Sequence, residues 1–404
     1  MKRFFTLIII FFFASSILAQ SITPNEGSIK QKRYLEKIPY QNKDGKLIVS
    51  VTINGKAYNF LFDTGATLSI SDKLFKELNL DIITQKGVVD ASGKREEMRV
   101  VLLPELHLQR ITFINTQGIV NHEVSTDFVN LLDCFEIDGT IGSNMLRNSA
   151  VQIDEQSKQI IITNNVKKLS IKRTYYQNIE LDNQSSPYIG IVLQKGEQKV
   201  FDRVLFDTGD AGGLYTMWAG FYNWLDSLGN FANKIAESEG SFKWSAHGID
   251  ERQKYLLLNI SELNLNNTIF NDVVVTTTNG RSRVGSKLLQ YGKVTLDYKN
   301  KRFYFKPFEN INTNELSESP WAILPTWQNG KLVVGLIWDK ALEHQINLGD
   351  EILSVNGIDV RLMDICEYFN SSANSFSNNT SSNNVLILEL KDITTGEVKN
   401  VEIK

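Results

Sequence analysis

The chain contains the five residues Leu-Phe-Asp-Thr-Gly twice, ending at Gly65 and at Gly209. Each copy is followed later by an apolar residue and a glycine, in the sequences IGSNML and VGSKLL, which begin at Ile141 and Val284. The two Asp-Thr-Gly copies are 144 residues apart, and the two apolar-Gly copies are 143 residues apart. Two landmarks at nearly one offset indicate an internal repeat, in which two similar units each supply one Asp-Thr-Gly loop.

Both units have the pattern of β-strands. The segment KLIVSVTINGKAYNFLFDTG has apolar alternation on either side of Asn-Gly, which is typical of a hairpin turn. The segments AVQIDEQSKQIIIT and KVTLDYKNKRFYFK also predict hairpins, and a short helix is expected after each apolar-Gly copy. The sequence therefore predicts a mainly β chain with two similar lobes, whose two-fold arrangement brings Asp63 and Asp207 together.

Two neighbouring carboxyl groups have a specific chemistry. They cannot both ionise easily, so one holds a shared proton while the other stays charged. The charged member can take a proton from a water molecule, and the neutral member can donate to the carbonyl oxygen of a peptide. This reaction uses neither a metal nor a cofactor, and we expect none.

Residues 45–308 resemble the single-chain, two-lobe aspartic proteases of the retropepsin and pepsin type, in which a shared proton on two aspartates is well known. The resemblance implies two retropepsin-like β-barrel lobes and endopeptidase activity on peptide or protein substrates, with Asp63 and Asp207 as the catalytic pair. It also implies roles for the loop residues Thr64, Gly65, Thr208 and Gly209, for the apolar-Gly elements Ile141, Gly142, Val284 and Gly285, and for the flap tips Ser92, Gly93, His247 and Gly248.

Two residues depart from the family pattern. Asp210 follows the second Asp-Thr-Gly, where Ser, Thr or Ala is usual, and Arg283 stands where an apolar residue usually precedes the apolar-Gly element. A third carboxylate raises the proton affinity of the pair unless it points to solvent or caps a backbone N–H, and Arg283 is a candidate partner for it. The alternative function is a catalytically silent protein that binds peptides in the cleft and acts as a scaffold.

The last part of the chain carries a second resemblance. Its sequence LGDEILSVNG, with Gly349, Asp350 and Gly357, resembles a bacterial-type PDZ domain over residues 318–404. The resemblance implies that a C-terminal or internal peptide binds as an added strand, beside a helix expected at LMDICEYF. The loop that would hold a carboxylate is expected near PTWQNG. Such a domain would recruit substrate or gate its access, or would simply pack against the lobes.

The N-terminus has the pattern of a secretory signal peptide. Lys2 and Arg3 precede an apolar run and then small residues. The run is short for an uncleaved anchor, since a spanning helix needs about 20 apolar residues. We therefore expect an exported protein of bacterial type, periplasmic or secreted, without a membrane span in the mature chain. The expected segments are a signal peptide (1–19), an N-terminal segment (20–44), a first lobe (45–165), a second lobe (166–310), and a linker with the PDZ domain (311–404).

Charge, cysteine and histidine usage give further expectations about partners and about the state of these side chains. The net charge is −3 and no basic stripe is present, so we expect no nucleic acid partner. Cys134 and Cys366 are far apart in the sequence and are expected to be two buried free thiols. The scattered histidines, expected to be structural or exposed, are His107, His122, His247 and His344.

Overall fold

The computed structural model of the chain describes residues 23–121, 134–169, 171, 175–229, 231–371 and 385–403. The expected signal peptide and His122 lie outside these residues. The described chain is mainly β, as predicted, and forms two similar β-barrel lobes followed by a smaller C-terminal domain. Among the described residues, no helix is both long and apolar enough to span a membrane.

The first lobe consists of a large β-sheet, strands of a sheet shared with the second lobe, and short helices. The predicted hairpin between its fourth and fifth strands turns at Asn54 and Gly55, whose φ angles are 50° and 78°. Helix α1 (Asp72–Leu78) begins at Ser71, whose side chain accepts a hydrogen bond from the Leu74 N–H. The strands are β1 Ser28–Ile29, β2 Leu35–Pro39, β3 Gln41–Lys43, β4 Lys46–Ile53, β5 Lys56–Asp63, β6 Ser69–Ile70, β7 Ile82–Val89, β8 Arg95–Leu108, β9 Ile111–Val120, β10 Gly139–Gly142, β11 Ala150–Asp154 and β12 Gln159–Thr163.

The second lobe repeats this organisation. The helices expected after the apolar-Gly elements are present as α2 (Ser143–Leu146) in the first lobe and as a 3₁₀ helix (Ser286–Gln290) in the second. A segment of the second lobe that is rich in aromatic residues forms α3 (Ala219–Ser227). The strands are β13 Gln177–Asn178, β14 Glu180–Leu181, β15 Pro187–Lys195, β16 Gln198–Asp207, β17 Tyr215–Trp218, β18 Asn233–Gly240, β19 Trp244–Ser245, β20 Gly248–Ile249, β21 Gln253–Leu265, β22 Thr268–Thr278, β23 Arg283–Gly285, β24 Gly292–Asp297 and β25 Arg302–Pro307.

Strand pairing confirms that the lobes are two copies of one topology. In the first lobe β10 pairs in parallel with β5 and antiparallel with β6, and β6 pairs in parallel with β9. In the second lobe β23 pairs in parallel with β16 and antiparallel with β17, and β17 pairs in parallel with β22. In each lobe the strand that carries the apolar-Gly element therefore ends beneath the Asp-Thr-Gly loop.

A shared six-stranded sheet, in the order β13-β25-β24-β11-β12-β2, joins the lobes. Strands β11 and β24 are antiparallel and place Gln152 opposite Thr295. These residues are 143 positions apart, so each faces its own counterpart in the repeat. The Gln152 side-chain amide donates to Thr295 Oγ1 at 2.9 Å. The pseudo-two-fold axis therefore passes between them.

The segment before the first lobe belongs to these sheets. Strand β1 pairs with β9, β2 with β12, and β3 with β4. The described part of residues 20–44 is thus built into the first lobe and the shared sheet.

The C-terminal domain has its own sheet, in the order β26-β27-β28-β30-β31, and its own apolar core. Asp350 is fully buried and accepts the N–H groups of Asn347 and Ile393, both at 2.9 Å, so it ties the turn before β28 to the strand end after β30. The elements are β26 Ile323–Gln328, β27 Lys331–Ile337, β28 Glu351–Val355, β29 Ile358–Asp359, helix α4 Ile365–Asn370, β30 Leu386–Lys391 and β31 Val398–Ile403.

The carboxylate-holding loop expected near PTWQNG is not found there, so that expectation was wrong. Residues of PTWQ lie within β26, and Asn329 and Gly330 form a tight hairpin turn, with φ angles of 52° and 74°. Asn-Gly favours such a turn, because both residues must adopt positive φ.

The expectation of two free thiols was also wrong. Cys134 of the first lobe and Cys366 of helix α4 form a disulfide, with their Cα atoms 4.8 Å apart. The C-terminal domain also contacts the second lobe, where Ser241 N–H donates to the Gly335 carbonyl at 3.0 Å. An apolar cluster that includes Tyr255 and Leu336 lies at the same contact. The domain is therefore attached to both lobes.

Candidate active site

Each Asp-Thr-Gly loop begins where a core strand ends. Strand β5 ends at Asp63 and β16 ends at Asp207, and the parallel neighbours β10 and β23 place Gly142 beside Asp63 and Gly285 beside Asp207. A Cβ on Gly285 would lie 2.5 Å from the Asp210 carbonyl oxygen, and one on Gly142 would collide with the backbone of the first loop. The apolar-Gly elements therefore carry glycine because the loops pass directly over them.

The two loops are joined by a symmetric set of hydrogen bonds. Thr64 Oγ1 donates to the Phe206 carbonyl at 2.6 Å, and Thr208 Oγ1 donates to the Phe62 carbonyl at 2.8 Å. Each hydroxyl also accepts the backbone N–H of the other threonine at 3.1 Å. Both threonines are completely buried. This pattern fixes the distance between the lobes at the axis.

Thr208→Val is expected to lower the free energy of unfolding by about 1–3 kcal/mol, because it leaves the buried Phe62 carbonyl and Thr64 N–H without partners. Thr208→Ser keeps the hydroxyl and serves as the matched control. Chemical denaturation of the full chain measures the difference. Equal losses in the two variants would show that the hydroxyl bonds do not stabilise the lobe junction.

The carboxyl groups of Asp63 and Asp207 lie within hydrogen-bonding reach of each other across the axis. Each loop glycine packs against the aspartate of the other lobe, and a Cβ on Gly65 would lie 2.6 Å from Asp207 Cγ. Backbone N–H groups at Gly65 (2.7 Å) and Gly209 (3.0 Å) donate to the aspartate of their own loop. The carboxyl groups are thus fixed by backbone on both sides.

The surroundings of the two carboxyl groups differ. Burial raises the pKa of Asp63, while hydrogen bonds from Asp207 and the Gly65 N–H and the charge of Lys46 oppose that rise. Burial raises the pKa of Asp207 well above its ordinary value, and the charges of Asp63 and Asp210 raise it further. Asp207 is therefore the better holder of a shared proton, and Asp63 is the better carboxylate.

The structure pairs Arg283 with Asp210 in a buried ion pair. The other Asp210 oxygen accepts the Gly212 N–H at 2.8 Å, so this carboxylate also caps a turn. Although burial raises the pKa of Asp210, Arg283 and the Gly212 N–H hold it below its ordinary value. Asp210 is therefore a charged, fully partnered neighbour of the dyad.

Two hairpins that we name the first flap (β7, its turn and β8) and the second flap (residues 241–250) contact each other at their tips. One oxygen of Asp90 in the first flap accepts the N–H groups of Ser92 (2.9 Å) and Lys94 (3.0 Å). Its other oxygen accepts from the Ser245 hydroxyl and from the His247 N–H, the latter at 3.2 Å. The tip of one lobe is therefore bonded directly to the tip of the other.

The predicted flap-tip glycines take the left-handed backbone that their turns need, with φ angles of +96° at Gly93 and +87° at Gly248. Ser92 is buried within the first turn. His247, expected to be structural or exposed as well as a flap candidate, is only 1% exposed, and its ring contacts the Val88 carbonyl at 3.1 Å.

The aspartyl protease family model Asp_protease_2 matches residues 49–145, which include the first Asp-Thr-Gly loop, the first flap and the first apolar-Gly element. This segment is therefore similar to aspartyl protease domains. A search of the curated proteins found no match.

Solved structures of low similarity match as well. A retropepsin-like aspartic protease from Rickettsia conorii is 18% identical, with 34% of this chain and 94% of that chain covered and a TM-score of 0.24. An aspartic proteinase from Irpex lacteus is 13% identical, with 70% of this chain and 100% of that chain covered and a TM-score of 0.41.

One cavity of about 2160 Å³ connects the two Asp-Thr-Gly loops with the rest of the molecule. It is lined by both aspartates, both flap tips and the second lobe. It also reaches Trp327 of β26 and Tyr368 and Phe369 of helix α4. A bound chain could therefore touch the dyad, the flaps and the C-terminal domain at once.

Three residues at this site were not found by sequence reasoning. Lys46, at the start of β4, donates to the Gly209 carbonyl at 3.3 Å across the lobe boundary. Lys243 of the second flap donates to the Thr277 carbonyl at 2.9 Å, and burial, aided by the charge of Arg283, lowers its pKa to about 7. The sequence DASG predicts a turn at Asp90, but nothing in the sequence predicts that Asp90 bonds to residues of the other lobe.

Proposed function

We propose that this chain is an exported aspartic endopeptidase, which hydrolyses peptide bonds with a water molecule activated by the Asp63/Asp207 dyad. The observation that carries the proposal is the pair of adjacent carboxyl groups, held by backbone on the axis between two Asp-Thr-Gly loops. The similarity of the first lobe to aspartyl protease domains supports the same chemistry.

The asymmetry of the dyad supports one assignment of the roles. Asp63, as carboxylate, takes a proton from the water, whose oxygen adds to the peptide carbonyl carbon, while protonated Asp207 gives its proton to the carbonyl oxygen. In the second step Asp63 passes its proton to the amide nitrogen and Asp207 recovers one from the tetrahedral intermediate, so that the C–N bond breaks. The enzyme returns to its starting protonation, and no covalent enzyme intermediate forms.

The C-terminal domain, as a PDZ-like module, is proposed to recruit substrate or gate its access. Strand β26 is at the edge of its sheet, and helix α4 contributes to the same cavity wall. Two hydroxyl groups on that wall, those of Thr326 and Tyr368, are buried with no hydrogen-bond partner among the described residues. An edge strand with buried polar groups beside it suits an extended peptide that adds to the sheet.

The test is hydrolysis of a quenched peptide library by the purified full chain between acidic and neutral pH. We expect cleavage, inhibition by a statine-type mimic of the tetrahedral intermediate, and no effect of a chelator. The physical reason is that the mimic places a hydroxyl between the two carboxyl groups, where the water is expected. Loss of activity with the chelator would point to a metal enzyme instead.

The alternative, a silent peptide-binding scaffold, predicts a different result in the same assay. Peptides would then bind without being cut at any pH, and the statine-type compound would compete for binding without changing any rate. Peptide binding by fluorescence anisotropy, measured beside cleavage, separates the two. Export remains part of the proposal and is tested by locating the mature protein and sequencing its N-terminus in an expressing bacterium.

A further inference from the structure

Arg283, predicted from the sequence as a candidate partner for Asp210, also contacts the first flap. It is only 6% exposed and lies at the start of β23, directly before the apolar-Gly element. One part of its guanidinium pairs with Asp210, three residues after Asp207. Another part, Nη1, donates to the carbonyl of Ala91 at 2.8 Å, and Ala91 is in the tip of the first flap.

The second lobe is shaped to receive this flap tip. The Thr278 hydroxyl also donates to the Ala91 carbonyl, at 3.4 Å. A Cβ on Gly280 would collide with the same carbonyl oxygen, so only glycine leaves room for the tip. Gly93 in the tip packs next to Asn279. The flap of one lobe is therefore seated on the other, with Arg283 as the charged group beneath it.

We propose that Arg283 is a positioning residue that links the seated first flap to the dyad and thereby sets the protonation of Asp207. The inference rests on the proposed aspartic endopeptidase function. The seated flap shields the guanidinium from water and fixes its orientation through the Ala91 carbonyl. In that shielded state its charge acts strongly on the neighbouring carboxyl groups. When the flap lifts, water reaches the guanidinium and weakens this effect.

The charges around the pair define the direction of the effect. Arg283 faces Asp207 and Asp210 from the second loop, Asp90 from the first flap and Lys243 from the second flap. Asp207 faces Asp63, Asp210 and Arg283, and the charge of Arg283 lowers the Asp207 pKa whereas that of Asp210 raises it.

On the other side of the dyad, Asp63 faces Lys46 and Tyr298. Arg283 and Asp210 thus act on the shared proton in opposite directions.

The pH dependence of kcat/KM tests this opposition. Activity falls on the alkaline side when the shared proton leaves the dyad. We expect Arg283→Gln to move that alkaline limb up, and Asp210→Asn to move it down, by about one pH unit each. The alkaline limb of the double variant should lie between those of the two single variants. A merely structural role would lower the rate in both variants and leave the limb in place.

A matched control is Arg281→Gln, which removes the same charge two residues away. The Arg281 side chain is 70% exposed, so solvent screens it and the limb should not move. Arg283→Lys keeps the buried charge. Its single ammonium group cannot reproduce the two separate contacts of the guanidinium, with the Asp210 carboxylate and with the Ala91 carbonyl. Because the loosened flap lets water reach this charge, the alkaline limb of Arg283→Lys should lie between those of wild type and Arg283→Gln.

Hydrogen–deuterium exchange tests the flap contact without relying on activity. Amides of residues 88–94 should exchange faster in both Arg283→Gln and Arg283→Lys than in wild type, and unchanged exchange would overturn the inference. If wild type cleaves no peptide, the proposed function fails while exchange still reports on the link between Arg283 and the flap. If wild type cleaves a peptide but the alkaline limbs of Arg283→Gln and Asp210→Asn coincide, the inference about Arg283 is wrong while the proposed function stands.

Discussion

Asp207→Asn is expected to lower kcat/KM for a cleaved peptide by about 10³- to 10⁴-fold, because the amide cannot give a proton to the substrate carbonyl oxygen. Asp63→Asn is expected to have a loss of the same size, since it removes the group that takes the proton from water. Both variants keep the shape of the side chain and the backbone N–H contacts around it. The rates are measured on the peptide that wild type cleaves best.

Asp207→Asn is also expected to stabilise the fold at neutral pH. The folded pKa of Asp207 is raised well above its ordinary value, chiefly by burial. Asp207 therefore does not lower the free energy of unfolding below its unfolded pKa of about 4. The free energy of unfolding decreases as the pH rises from there toward the folded pKa. The neutral amide of the Asp207→Asn variant carries no such penalty. The Tm gain of this variant should be absent near pH 3 and grow with pH, at about 2–4 °C for each kcal/mol.

Loss of activity together with a higher Tm separates chemistry from damage to the fold. Asp272→Asn is the control, because Asp272 is exposed and its φ of 53° suits asparagine equally well. It should change neither activity nor Tm. A lower Tm for Asp207→Asn at pH 7 would mean that the carboxylate stabilises the site, and the assignment of the shared proton to Asp207 would be wrong.

The fold and the dyad could be read from the sequence because the repeat places the same local signals twice. The Leu-Phe-Asp-Thr-Gly copies and the apolar-Gly copies each predict a strand end and a close backbone crossing, and β5/β10 and β16/β23 have that geometry. A repeated pattern needs no knowledge of long-range contacts, since the symmetry itself brings Asp63 and Asp207 to one axis.

The contacts between different parts of the chain could not be read in this way. Nothing around Asp90 distinguishes a turn that faces solvent from one that bonds Ser245 across the cleft. Lys46 likewise has the sequence of an ordinary strand start. The Asn329-Gly330 turn was readable, because Asn-Gly between apolar runs is a strong hairpin signal. It was missed because the resemblance to PDZ domains placed a different loop there.

The cysteines show the limit most plainly. Cys134 and Cys366 are 232 residues apart, in parts of the chain that the internal repeat does not relate to each other. Export permits a disulfide, but only the docking of the C-terminal domain brings the two sulfurs together. That docking depends on side chains such as Trp244 and Phe369, whose rings meet at 5.8 Å and whose positions have no local signature.

Removal of this disulfide is the second large effect that we expect. Cys134→Ser/Cys366→Ser should lower the free energy of unfolding by about 2–4 kcal/mol, because the cross-link restricts the unfolded chain over a very long loop. The loss should be concentrated in the C-terminal domain, whose bond to the second lobe through Ser241 and Gly335 does not restrain it against the first lobe.

Thermal melting with and without a thiol reductant measures the effect. Wild type under reductant should match the double variant, and the double variant should not respond to reductant, because these are the only two cysteines in the sequence. Separate melting of the C-terminal domain in the variant alone would locate the loss as we expect. Equal Tm values for oxidised wild type and the double variant would show that noncovalent contacts alone hold the domain over the cleft, since the cross-link would then add nothing to the folded state.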